Sequence, residues 1–577
     1  MPYETSPEID FSAIGLVVDV PSNAVPTGGW SNSLNVRCRN GSVQGVNSFA
    51  NDIALWHSSG NIASGEAKAI CQFTPAGSDY LIIAYIVKRA NGGQGSVILY
   101  DTAPRTAGQA ESTRWDDITN AVANQVFTFD DDYPPQIFVF NELLIVNPAT
   151  DAPPQFTNAA VGAGSLVELP NWVYDTTATT TAAGSFVSGA KYTIAAVGNT
   201  SFTGIGASAN TVGITFTATG AGSGSGTATI TTPIIVRVLK SFNTRLIAMN
   251  VKEEHNAGEG DDAYQPIDLL FSSNISTISS LVAAEWTAST TNTAGDAFLV
   301  DTPGKILDGG QLGEFFIAYK SDSVVRIRET GDSFVLAIES IFEDDGIYST
   351  RCFANIGNSQ HLVVGNYGVY IHDGQSQKQD IAKDLFKDTM FALVKPAERN
   401  RTFVFQQTRD KEVWFCLPSN SNNTTGCDTA FVYDYSSSKI HKRTLPGLSD
   451  LFETELNGAL KIYGCKSGTT LQLLSNTALE SGGFFERTDD NLTNNSITKQ
   501  IKRIHVSAKG ACNLAITGTK YLGDTASYTN VAFDPASAHK VDVRTAGRFM
   551  NLKVTMNGTT NPELTKLQFD IKVIGAR

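Results

Sequence analysis

The chain has 577 residues, 41% hydrophobic and 17% charged, and its 43 basic against 57 acidic residues leave a net charge of −14. That length predicts about two or three folded domains, and the acidic balance argues against a protein that grips nucleic acid tightly through its phosphates. No run of about 18 uninterrupted apolar residues occurs, so neither a helical span nor stable membrane insertion is expected.

Residues 1–60 read as an extended, Pro- and Ser-rich lead followed by a hairpin. The segment Met1 to Asp10 is acidic and lacks an apolar h-region, so no secretory signal peptide is expected. Next comes Trp30-Ser-Asn-Ser-Leu-Asn-Val-Arg-Cys-Arg-Asn-Gly-Ser-Val-Gln-Gly-Val46. Asn40-Gly41 between two alternating runs predicts a type I′ hairpin, because both residues tolerate positive φ. Strand alternation puts Arg37 and Arg39 on one face, read as a solvated pair, and Val36 and Cys38 on the other.

Residues 61–176 read as the first part of a β-propeller. Ala69-Ile-Cys-Gln-Phe, Tyr80-Leu-Ile-Ile-Ala-Tyr, Ser96-Val-Ile-Leu-Tyr-Asp and Trp115-Asp-Asp-Ile-Thr have the size of one blade. Phe140-Asn-x-x-Leu-Ile-Val returns as Phe242-Asn-x-x-Leu-Ile-Ala, an internal repeat of the kind that stacked sheets require. Residues 177–233 interrupt this pattern as an inserted Thr/Gly-rich β-module, uncharged between Lys191 and Arg237. Its tract Gly220-Ala-Gly-Ser-Gly-Ser-Gly226 lacks the phosphate-cradling spacings and reads as a flexible hairpin end.

Residues 234–484 read as the second part of the propeller. Pro266-Ile-Asp-Leu-Leu-Phe and Ala284-Glu-Trp-Thr complete one unit. The stretch Gly313 to Gly374 adds two more, turning at Ser321-Asp322-Ser323 and at Gly365-Asn-Tyr-Gly368, where the glycines are free to take positive φ. A brief helix is expected over Ile381–Phe391, and then Arg401-Thr-Phe-Val-Phe, Glu412-Val-Trp-Phe-Cys-Leu and Thr429-Ala-Phe-Val-Tyr resume the strands. From 485 to 577 longer loops predict a separate β-sandwich-like domain. The expected fold is therefore all-β: a propeller of about six to eight blades, the inserted module and the C-terminal domain.

Candidate chemistry is sparse. H-E-x-x-H, G-x-S-x-G and Walker sequences are missing, so no catalytic, cofactor-binding or metal-binding residue is assigned and the chain reads as no enzyme. His361 and His372 fall symmetrically about one hairpin and read as strand packing, because a metal site needs further ligands and none is marked by spacing. Acidic clusters lie at Asp130-Asp131-Asp132, Glu253-Glu254 and Asp261-Asp262, and a propeller hydrolase would need two such carboxylates converging on a sugar. The seven cysteines show no C-x-x-C spacing; Cys416 and Cys427 could face across a hairpin, but all read as buried free thiols, as in a reducing cytoplasm. An N-glycosylation sequon lies at Asn423-Thr-Thr.

Several phrases, taken in order, resemble the tail nozzle proteins of short-tailed bacteriophages, also described as tubular-B-like or packaged-DNA-stabilising proteins. They are Trp30-Ser-Asn-Ser-Leu-Asn-Val-Arg-Cys-Arg-Asn-Gly, Phe140-Asn-Glu-Leu-Leu-Ile-Val-Asn-Pro, Pro153-Pro-Gln, Phe315-Phe-Ile-Ala-Tyr-Lys-Ser-Asp-Ser-Val-Val-Arg-Ile, Tyr367-Gly-Val-Tyr-Ile-His-Asp-Gly374 and Phe569-Asp-Ile-Lys-Val-Ile-Gly-Ala-Arg577. The resemblance implies a homo-hexameric ring in the virion tail, assembled in the host cytoplasm. Such a ring docks on the adaptor (head-to-tail) ring, holds fibres or spikes, and retains and then releases double-stranded DNA through transient, non-sequence-specific contact. Six copies would carry on the order of 80 negative charges, which keeps DNA from adhering as it leaves. Lys395, Arg399 and Arg401, or His441-Lys442-Arg443, are candidate phosphate brakes, with solvated faces or subunit contacts as the plainer reading. A receptor- or glycan-binding tail protein with the Thr/Gly-rich module at its tip is the alternative, and a propeller glycan hydrolase a remote one.

Overall fold

The computed structural model describes residues 4–576 apart from 6–7, 56–64, 75–79, 89–93, 102–114, 120–126, 128–129, 151, 158–165, 170–171, 173–179, 189, 231–233, 254–263, 276–284, 287, 332–334, 358, 422–424, 457, 469, 493, 495 and 557–561. The fold is all-β and of propeller type, built from successive four-stranded antiparallel meanders. The chain divides into two compact units, Ala54–Thr350 with Gly374–Ser376, and Met1–Ile53 with Arg351–Asp373 and Gln377–Arg577.

The first unit carries four blades. Their strands are Gly65–Phe73, Tyr80–Lys88, Gln94–Asp101 and Trp115–Asp117; then Gln136–Phe140, Leu143–Asn147, Gln155–Thr157 and Val167–Glu168. The third blade is Ile234–Phe242, Arg245–Glu253, Gln265–Phe271 and Gly295–Phe298, and the fourth Ile306–Leu312, Phe315–Lys320, Val324–Glu329 and Leu336–Phe342. In the second blade, Leu143–Asn147 is buried at every position. Alternation explains why: Leu144 and Val146 pack on Phe73, Ile98 and Ile118 of the first blade, while Leu143 and Ile145 pack on Val236, Leu246 and Leu270 of the third. Each such side chain contributes about 1.5–3 kcal/mol, so one strand helps secure both neighbouring blades. The third blade closes with Gly295–Phe298; of the expected strand Ala284-Glu-Trp-Thr, Glu285 and Trp286 are not in a strand, and Ala284 and Thr287 lie outside the described residues. Trp286, near the expected fourth strand, instead packs its ring 3.8 Å from that of Trp172 in the core.

The inserted module lies in this unit with its own sheet of Thr180–Ala182, Lys191–Ala196, Thr215–Thr217 and Thr227–Ile230. Its core of Phe186, Tyr192, Ile194, Phe202 and Phe216 is separate from those of the blades. The glycine tract is a hydrogen-bonded loop, not the flexible end expected. Ser225 N donates to Asn199 Oδ1 (2.6 Å) and Gly226 N to Thr200 Oγ1 (2.8 Å), and a Cβ at Gly224 would lie 2.6 Å from that hydroxyl.

The second unit carries a fifth blade, Phe353–Ile356, Gln360–Val364, Val369–His372 and Lys378–Asp380. The Gly365–Gly368 turn forms, but neither glycine takes positive φ. A Cβ at Gly368 would approach Asp380 Oδ2 to 3.0 Å, a tight contact with the end of that side chain. A sixth meander, Phe403–Gln407, Glu412–Leu417, Cys427–Asp434 and Lys439–Leu456, opens a nine-stranded sheet that continues through Ala459–Lys466 and Thr470–Leu479 to Asn47–Ala54. The expected helix is shorter, Lys387–Leu393. Asp380 Oδ1 accepts from Ala382 N and Lys383 N and holds that segment in a turn, while Asp19 accepts from Asp388 N and Thr389 N at the helix start.

C-terminal strands form two further sheets, and the N-terminal lead is woven into both. Glu4–Thr5 and Ile9–Asp10 pair with Glu563–Ala576, the Val36–Arg39/Ser42–Gly45 hairpin joins the same sheet, and Asn32–Leu34 pairs with Phe484–Asp490.

Candidate functional site

Asn40 and Gly41 take φ of 51° and 71°, as the type I′ turn demands. The pleat then places Val36 and Cys38 inward and turns Arg37 and Arg39 the other way. They are ion-paired rather than simply solvated, Arg37 mostly buried and Arg39 partly exposed. Arg39 grips Asp410 bidentately (Nη1–Oδ2 2.8 Å, Nη2–Oδ1 2.9 Å), and Arg37 Nη1 reaches both Asp410 Oδ2 and Glu412 Oε1 at 3.2 Å. Gln407 Nε2 and Arg409 Nε also donate to Asp410. Burial alone would raise the Asp410 pKa, but the Arg39 hydrogen bond and the charges of Arg37, Arg39 and Arg409 outweigh it and hold the carboxyl below its usual range. Glu412, with its other oxygen accepting from Trp414 Nε1 (3.0 Å), is pushed upward by burial, against the pull of Arg37.

This network extends to one of the candidate phosphate brakes and removes it from the surface. Arg443 lies 4.2 Å over the Trp414 ring and 5.3 Å from that of Phe49, donates to the Asn47 carbonyl (2.7 Å) and is 2% exposed. Burial lowers its pKa to about 10. His441 is likewise buried and held well below the usual histidine range by burial and the adjacent Arg37 and Arg443 charges. Of that trio only Lys442 is partly exposed. In the second candidate trio, Lys395 bridges Glu398 (2.6 Å), Arg399 donates to Asn366 Oδ1 (3.1 Å) and Arg401 ends the 3₁₀ turn Pro396–Arg401.

His361 and His372 are direct cross-strand partners, with ring centroids 5.8 Å apart among Phe353 and Tyr370. Both are buried, and burial, reinforced by His361, lowers the His372 pKa to about 3. Among the described residues no group of three or more His, Cys, Asp or Glu has metal-holding geometry.

The acidic cluster at 130–132 is divided among cations of the first unit. Asp130 meets Arg237 (3.4 Å), Asp131 meets Lys68 (2.6 Å), and Asp130 Oδ1 accepts from Asp132 N (2.9 Å). Arg237 itself lies 4.0 Å over Tyr264 and 4.9 Å from Tyr133. Lys240–Asp308 (3.1 Å) and Arg245–Glu329 (2.8 Å) similarly join the third blade to the fourth. These carboxylates therefore act as latches between neighbouring sheets. The Glu253 side chain, Glu254, Asp261, Asp262 and Asn423 lie outside the described residues.

A signal the motif reading missed is the distribution of charge. Residues 54–350 hold 14 basic and 31 acidic residues, a net of −17, whereas 485–577 hold 13 and 8, a net of +5. Counting by window would have found it.

No protein-family profile matches the chain, and no curated protein matches its sequence. Among solved structures it is similar to cobalt-substituted Synechocystis apocarotenoid oxygenase, at 10% identity over 73% of this chain and 87% of that one, TM-score 0.28. It is also similar to an ancestral GH74 enzyme (10% identity, 78% and 79% covered, TM-score 0.24) and to the exo-β-1,3-galactanase of Phanerochaete chrysosporium (8%, 93% and 95%, TM-score 0.20). These structures are enzymes, against the expectation that the chain is not one, and that expectation is withdrawn. At such TM-scores they assign it no reaction.

Proposed function

We propose that this chain is a structural subunit of a phage tail nozzle, a six-membered ring through which packaged double-stranded DNA is retained and then released. The observation that carries this reading is the ordered series of nozzle-like phrases from Trp30 to Arg577. Two physical features support it. Successive blades latched by Lys240–Asp308 and Arg245–Glu329 suit a rigid wall. The net charge of −14 suits a surface that DNA passes without adhering. In this reading one end of the ring docks on the adaptor ring and the periphery holds fibres or spikes.

Electron microscopy of the purified protein, alone and mixed with its adaptor, tests the proposal. The expected result is a six-fold ring with an axial hole, and antibody against this chain labelling the tail tip of virions. Absence of the chain from purified virions refutes it.

A further inference from the structure

The charge split has a structural address at both ends. The C-terminal strands Ile497–Lys509, Lys540–Gly547 and Glu563–Ala576 are hydrogen-bonded neighbours in one sheet and together hold eight Lys and Arg against three Asp and Glu. Ile501, Ile504, Val541, Val543, Leu567 and Phe569 take the buried positions. Lys499 is buried and donates to the Arg548 carbonyl, while the other seven cations take partly or fully exposed positions. Arg503 meets Asp542 (2.9 Å), His505 meets Asp570 (3.2 Å), Lys509 meets Glu563 (3.4 Å) and Lys566 meets Glu8 (2.8 Å), and Arg544 adds an exposed cation. Where this sheet ends, Val573 and Ile574 are 40% and 49% exposed beside Lys572. Beyond Ile571 the strand has a described partner on one side only.

The complementary feature lies on the acidic unit. Gly295–Phe298 is the last strand of its blade, with Gln265–Phe271 its one described neighbour. It runs into Asp296-Ala-Phe-Leu-Val-Asp301, whose Phe298 and Val300 are 53% and 67% exposed between two exposed aspartates. An open strand edge with apolar side chains is an invitation to pairing, and apolar residues ringed by charge are the make-up of a docking patch.

We infer that the basic C-terminal sheet of one copy docks, through its Lys572–Ile574 end, on the acidic Asp296–Asp301 edge of a second copy. The inference deepens the ring reading above and rests on it for the identity of the partner. Charge of opposite sign on the two patches steers and registers the contact. Apolar side chains on both sides supply the burial. Nucleic acid fits less well, because Asp542 and Asp570 lie within the basic face and a phosphate backbone offers nothing apolar to Val573 and Ile574. Each copy carries both patches at different places, so the contact is head-to-tail and propagates until a ring closes.

Sedimentation velocity of the full chain, with variants, tests this. At about 50 mM salt the wild type should self-associate, and the association should weaken at least tenfold by about 300 mM as charges are screened. Arg544→Glu with Lys572→Glu, and separately Asp296→Lys with Asp301→Lys, should each weaken it at least tenfold. Mixing the two double variants should restore a heterodimer, because the reversed faces complement each other; that rescue excludes misfolding as the cause. A wild type that stays monomeric at low salt, or association indifferent to both pairs, overturns the inference. So does duplex DNA binding that Arg544→Glu with Lys572→Glu abolishes while self-association survives. A six-fold ring that forms equally well from either variant sinks this contact but leaves the nozzle. Charge-dependent association without six-fold symmetry does the reverse.

Discussion

Replacing Asp410 by Ala removes the one carboxylate that Arg37, Arg39, Arg409 and Gln407 all address. Its side chain is 3% exposed and that of Arg37 is 15%, whereas Arg39 is 38% exposed and can rehydrate. Breaking a buried pair costs about 3–5 kcal/mol, and the exposure of Arg39 places this site near the low end, about 3 kcal/mol. At 1.36 kcal/mol per tenfold, that is roughly a hundredfold rise in the opening equilibrium of the Val36–Gly45 hairpin. Hydrogen exchange read by mass spectrometry on peptides spanning this hairpin measures it directly. Arg39→Ala should raise exchange far less, by about 1 kcal/mol or under, because its charge is partly hydrated already. The pH dependence has a definite sign. The folded carboxyl lies below its unfolded value of about 3.9, so its stabilisation is complete above that value and is lost as pH falls through the folded pKa. Asp410→Asn should remove that acid dependence. A less than about threefold change in Asp410→Ala, against the roughly hundredfold rise expected from a buried pair, refutes the reasoning.

Four other outcomes are expected. His372, at about 3 when folded and about 6.5 unfolded, makes the fifth blade lose about 4–5 kcal/mol as pH falls across that interval, because the unfolded chain takes the proton first; His372→Phe should flatten the pH profile of limited proteolysis across residues 353–380. All seven cysteines are free and buried, with burial pushing Cys38 up to about 12, so a thiol reagent such as Ellman's should label none in the folded chain and all seven in denaturant. A Cβ at Gly346 would meet Lys320 O at 2.1 Å and Ser321 O at 2.6 Å, so Gly346→Ala should lower the thermal midpoint clearly, at a cost of about 2–3 kcal/mol. Gly41→Ala, with φ of 71° and open space, should cost only about 1 kcal/mol.

The blades were legible because their determinants are local. Asn141 (φ 47°) and Asn243 (φ 50°) occupy the same first hairpin of two different blades, so the repeated Phe-Asn-x-x-Leu-Ile phrase marks one turn used twice. The run Leu143–Val146 declared a strand buried on both faces. What the sequence could not announce was pairing over distance. Arg37 and Asp410 are 373 residues apart, and no periodicity in either segment refers to the other. Trp286 misled for a related reason: an aromatic flanked by β-formers reads as a strand, yet here it packs as a core plug on Trp172.

The same distinction decides how basic residues should be weighed in an acidic chain. His441-Lys442-Arg443 reads as a positive cluster only while its side chains are imagined on one surface. In a strand they alternate, and Arg443 lies between Trp414 and Phe49 while His441 is buried beside it. A local run of cations on a β-strand is therefore weak evidence for a phosphate contact, since the pleat divides it between core and solvent. Cations that recur on adjacent strands at matching register are stronger evidence, because alternation then gathers them. In the C-terminal sheet the register instead sets cations against carboxylates, with Arg503 between Asp542 and Asp570 and Lys509 opposite Glu563. The positive balance of residues 485–577 is thus spread over several strands, with Lys502-Arg503 its one adjacent pair.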